Sequence, residues 1–153
     1  MPLPYDLDHV RTHLGMYLRK VDFDVVVAYI DGLDAASHNC LLLGFREWLI
    51  PRLDDGSNLI WSEIVLYLAF PGVADPRAQL QEEDDHTKAI ESLFGHLDAY
   101  WSEKSRPNGM RAIYLRFQAW LEEQEWYSPQ FPDWIDTRGR YEGTDGTNKE
   151  ATP

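Results

Sequence analysis

The chain has 153 residues, 44% of them hydrophobic and 13% aromatic, enough to fill one core and too apolar for an intrinsically disordered protein. Its 26 Asp and Glu outnumber 14 Lys and Arg, giving a formal net charge of −12. That balance speaks against nucleic acid or an anionic membrane as direct partner, because both are polyanions, and it is compatible with a basic protein partner.

No intrachain disulfide is possible, since Cys40 is the only cysteine. It is expected as a small buried apolar residue, as free cysteines usually are. The first residues, Met1-Pro-Leu-Pro-Tyr-Asp, have neither the positive region nor the apolar run of a signal peptide. The longest apolar stretch, residues 64–70, is far too short to span a bilayer. The expected location is the cytoplasm.

Residues 5–18 carry Leu7, Val10, Leu14 and Leu18 at helical spacing, and Asp6 and Asp8 favour the first turn. Gly15 is expected to weaken or end that helix. Asp22 or Asp24 caps the second, whose stripe is Phe23, Val26, Val27, Ile30 and Leu33. The run Val25-Val26-Val27 also suits a strand, and the sustained stripe decides for helix. Gly32 within it offers a close approach to another helix. Ser37-His38-Asn39 is expected to cap a third helix, from about Leu41 to Leu53. Leu42, Phe45, Trp48 and Leu49 lie on one face of it, with Arg46 and Glu47 on the polar side. Pro51 is expected to distort its last turn. The segments on either side of residues 37–39 are expected to pack as a helical hairpin. Phe45, Trp48 and Leu49 then meet Phe23, Val27 and Ile30.

The turn signal Asp54-Asp55-Gly56-Ser57-Asn58 follows. Residues 59–70 read as a central helix buried on most sides, ended by Pro71-Gly72. Residues 73–81 read as a loop. Four acidic residues, Glu82, Glu83, Asp84 and Asp85, open the next helix, where free N–H groups favour them. Its stripe is Ile90, Leu93, Phe94, Leu97 and Trp101. After a break at residues 105–109, Met110, Ile113, Tyr114, Phe117, Trp120 and Leu121 form the last stripe, and the two helices are expected as an antiparallel hairpin. Pro129, Pro132 and Trp134 mark an extended segment laid over the body. The fold class is therefore all-α: a single-domain bundle of about six helices over residues 1–137, with a flexible C-terminal tail over residues 138–153.

Searches for chemistry return little. His9 and His13 share a helix side as zinc ligands do, but the glutamate of a His-Glu-x-x-His site is absent and no third ligand is evident. His86 beside Asp84 and Asp85 has no positioned partner for acid–base work. Adjacent carboxylates do not define a glycosidase cleft, and residues 54–58 lack the remaining ligands of a calcium loop. No Gly-rich phosphate loop or recognisable nucleophile is present. No enzyme activity, cofactor or metal is expected. A hydrolase using His9 and His13 or His86 is the outlying alternative.

Charge placement is the remaining signal. Residues 121–136 hold Glu122, Glu123, Glu125, Asp133 and Asp136 without a Lys or Arg, interleaved with Trp126, Tyr127, Phe131 and Trp134. Carboxylates steer a basic partner and rings anchor it. The competing reading is that the acids face water while the rings cover the core. Candidate partner-binding residues are thus Asp54, Asp55, Glu82, Glu83, Asp84, Asp85, Glu122, Glu123, Glu125, Trp126 and Tyr127.

Four short segments carry a resemblance: Gly15-Met16-Tyr17-Leu18, Tyr29-Ile30-Asp31-Gly32, Gly44-Phe45-Arg46-Glu47-Trp48-Leu49 and Asn58-Leu59-Ile60-Trp61. Together they resemble small acidic bacterial immunity proteins of polymorphic or contact-dependent toxin systems. The likeness covers about residues 7–70 and continues more loosely through the following hairpin. It implies a cytoplasmic antidote that binds and occludes a cognate toxin domain, such as a basic nuclease, with no cofactor. The alternative is an acidic regulatory domain or nucleic-acid mimic that binds a DNA-binding protein.

Overall fold

The computed structural model describes residues 5–128, and the segment around Phe131, Asp133, Trp134 and Asp136, with the tail at 138–153, lies outside them. Among the described residues all regular structure is helical: α1 (Tyr5–Thr12), α2 (Leu14–Tyr17), α3 (Phe23–Ala36), α4 (Phe45–Leu53), α5 (Trp61–Ala69), α6 (Glu83–Lys104) and α7 (Gly109–Glu122). The all-α fold class holds.

The first expected helix is two. It breaks at His13, not at Gly15, because side chains compete for its carbonyls. Thr12 Oγ1 donates to His9 O at 3.0 Å, and His13 Nδ1 lies 3.0 Å from the same oxygen. Asp22 caps α3 as predicted, accepting from Val25 N at 2.9 Å.

Ser37-His38-Asn39 ends α3 instead of capping α4. Ser37 Oγ donates to Asp34 O at 2.8 Å, and His38 and Asn39 both take left-handed φ values of 59°. The linker that follows ties its amides back to α3, with Leu42 N donating to Asp34 Oδ1 at 2.9 Å. Cys40 lies in this linker and is exposed, contrary to expectation. Helix α4 starts only at Phe45, because Gly44 before it has φ 84°. A Cβ there would also stand 2.8 Å from Met110 Cε. Close approach thus falls at Gly44, while Gly32 has nothing within 4 Å of where a Cβ would sit. Pro51 does not stop α4, which continues to Leu53 while the Arg52 guanidinium donates to Trp48 O at 2.7 Å.

The expected α3–α4 hairpin is not the main packing unit. Helix α4 packs on α5 and α7, and α3 rests on α6. Helix α7 likewise lies more along α4 than along α6. The two run in the same direction: Gly44 approaches Met110 and Tyr114 at one end, and Asp54 meets Trp120 at the other. The α6–α7 contact is anchored at its joint, where Gly109 sits against the carbonyls of Glu103 and Lys104.

One contiguous core joins these helices. Phe23, Val26 and Ile30 come from α3, Phe45, Trp48 and Leu49 from α4, Ile64 and Leu66 from α5, Leu93 and Tyr100 from α6, and Ile113 from α7. Arg46, read as a polar-face residue, instead donates to Leu59 O at 2.8 Å and to Ser57 O. It thereby fastens the α4–α5 turn.

Candidate protein-binding surface

The chain turns sharply after α4 and again after α7, at the same end of the pair. Asp54 closes α4 in the left-handed region, φ 57°, and its Oδ1 accepts a 2.8 Å hydrogen bond from Trp120 Nε1. Asp55 Oδ1 accepts from Gly56 N at 2.6 Å, which tightens the turn. After α7, Gln124 Nε2 donates to Trp120 O at 3.0 Å and Tyr127 N donates to Gln124 O at 3.0 Å. These bonds satisfy carbonyls that a helix end leaves open and fold residues 123–127 back on α7.

The result is a row of rings. Trp120 meets Trp126 edge to face at a centroid distance of 6.2 Å, and Trp126 meets Tyr127 at 6.4 Å. Gln118 Nε2 reaches both Glu122 Oε1, at 2.9 Å, and the Tyr127 hydroxyl, at 3.4 Å. Asp54–Asp55 and residues 122–127 therefore share one end of the molecule, joined through the Asp54–Trp120 bond, which spans 66 residues of sequence. Trp126 remains 60% exposed there, and Asp54, Asp55, Glu122, Glu123 and Glu125 are exposed around it.

The third predicted cluster is elsewhere. Glu82, Glu83 and Asp84 are exposed and Asp85 half-buried at the start of α6, beside the start of α3. Helix α6 spans 22 residues, about 33 Å at 1.5 Å per residue. Its far end reaches the α4–α7 pair through Glu103. The acidic residues thus fall into two groups held by different elements, one at the start of α6 and one at the ends of α4 and α7.

Ion pairs sharpen the distinction. Arg77 binds Glu63 and Asp24, Arg11 binds Asp8 and Asp98, Lys20 binds Asp22, and Arg52 and Arg116 share Glu103. Among the described residues, none of the predicted partner-binding carboxylates has a Lys or Arg in ion-pair range. Among the described residues the ion pairs thus use other acids. Two residues of this surface were not picked out in sequence, Trp120 and Gln118. Trp120 reads as plain core from its helical stripe, and its bond to Asp54 has no local signal.

His9 and His13 stack with ring centroids 4.5 Å apart, and Thr12 Oγ1 lies 2.8 Å from His13 Nδ1. His86 Nδ1 accepts from Phe23 N at 3.2 Å. Among the described residues no group of three or more His, Cys, Asp and Glu is placed to hold a metal ion. No helix among them is long and apolar enough to cross a membrane.

Comparison of the chain with protein-family models, with curated proteins and with solved structures finds no match.

Proposed function

We propose that this chain is an immunity-type binding protein that occludes a basic toxin domain with the surface around Trp126. The observation that carries this reading is that five exposed carboxylates, none in an ion pair among the described residues, share one end of the molecule with an exposed indole. Such carboxylates raise the encounter rate with a cationic surface, and a large ring on a rigid base supplies the anchor. Asp54 and Asp55 add their charge from turns already closed by their own hydrogen bonds, so little order is lost on binding.

The test is co-expression and binding with the toxin domain encoded beside the gene. Binding at low salt is expected, with an association rate that falls as salt rises. Trp126→Ala is expected to weaken it about thirty-fold or more, the loss typical of an interface anchor, while leaving the melting temperature unchanged. Reversal of Glu123 and Glu125 to Lys should slow association. Absence of any complex with that toxin would sink the reading. A complex indifferent to Trp126 and to both reversals would remove this surface from it.

A further inference from the structure

We propose that His86 is an acid-sensitive latch between α6 and the start of α3. The Phe23 amide donates to His86 Nδ1 at 3.2 Å, a partly buried bond spanning 63 residues of sequence. Phe23 is the first residue of α3, and Asp22 takes the amide of Val25 in the same turn. Two side chains therefore serve the open N–H groups of this helix start, one local and one from α6.

Only a lone pair on Nδ1 can accept that bond. The ring must be neutral, with its proton on Nε2. A second proton would turn Nδ1 into a donor facing another donor, at the positive end of the α3 dipole. Charged groups stand on both elements that meet here. On its own helix stand Glu82, Glu83 and Asp85, and on α3 stand Asp22, held by Lys20 at 2.9 Å, and Asp24, held with Glu63 by Arg77. The Phe23 amide excludes a charged ring in the present position. A proton from solvent is accommodated by the ring leaving Phe23 for the carboxylates. Because α3 packs on α6, that step loosens the α3–α6 joint and leaves the α4–α7 pair untouched. The latch does not depend on the toxin reading and is testable on the chain alone.

The experiment is a titration of the full chain from about pH 7.5 to about pH 5, a range set by the histidine midpoint, followed by nitrogen NMR of the histidines and by amide exchange. Three results are expected. His86 carries its proton on Nε2 at neutral pH. The Phe23 amide resonance moves with the His86 midpoint. Exchange of the Phe23 amide, relative to its free rate at each pH, quickens about five-fold on protonation, as for loss of one hydrogen bond. His86→Gln retains an acceptor oxygen that does not titrate, and it should abolish the change at Phe23. A neutral ring protonated on Nδ1, or a Phe23 amide indifferent to His86, overturns the proposal. So does a His86→Gln chain that keeps the wild-type pH response. The first two readouts need no variant.

Discussion

Glu103 shows how much one side chain can organise. Its Oε2 accepts from Trp48 Nε1 at 2.8 Å and from Arg52 at 3.3 Å, and its Oε1 accepts from Arg116 at 2.6 Å. Arg52 also lies 3.3 Å over the Trp48 ring. Three helices, α4, α6 and α7, meet on one carboxylate. Burial raises its pKa, and the hydrogen bonds from Arg116 and Trp48 outweigh that and hold it below the ordinary 4.5. A carboxyl lowered in this way contributes stability above its unfolded value, and the contribution is lost as pH falls through the folded one. Glu103→Ala should cost about 2 kcal/mol at neutral pH, since it strands a buried indole N–H as well as two guanidinium donors. Urea unfolding at neutral pH and well below pH 4.5 checks the linkage: the gap between wild type and Glu103→Gln should shrink in acid. A gap that widens in acid would contradict the assignment. Trp48 was legible in sequence as a core residue. Its partner was not, because Glu103 sits in an ordinary polar turn of helix, 55 residues away.

Helix stripes were legible wherever local periodicity controls structure, and helix ends were legible only where a cap is local. Asp22 is such a cap. The break at His13 and the late start of α4 depend on side chains bonding carbonyls and amides outside the regular ladder, and a stripe does not record that. The same limit governs pairing. Neighbouring stripes imply neighbouring helices, yet α4 chose α7, because Gly44 lets the Met110 and Tyr114 side chains come close. Glycines give the sharpest test at this scale. Gly32 and Gly95 lie inside α3 and α6, with nothing within 4 Å of where a Cβ would sit. Ala at each should add roughly 0.5–1 kcal/mol by restricting the unfolded chain. Gly109 is the opposite case, since its Cβ would stand 2.1 Å from the Glu103 carbonyl oxygen. Gly109→Ala should cost about 2–3 kcal/mol or more, because backbone must move. Thermal melts of the three variants decide the matter, with two expected above wild type and one well below.

At the level of the molecule, charge is the dominant quantity. Twelve net negative charges on one small body repel one another, so added salt should raise the melting temperature between about 20 and about 200 mM, where screening shortens their reach. A fall would mean that surface ion pairs outweigh the repulsion. Composition alone exposed this imbalance. The meeting of Asp54 with the end of α7 was not legible, because it follows from where α7 lies, and the Asp54–Trp120 bond is what joins the two. The parallel α4–α7 pair has a further consequence, for the order of events during synthesis. As the chain leaves the ribosome, α4 emerges more than fifty residues ahead of the helix that covers it. Until α7 follows, Trp48 and Leu49 have only part of their enclosure, so the N-terminal half cannot complete a core by itself. Helix α7 closes this core, and folding waits until it has been made.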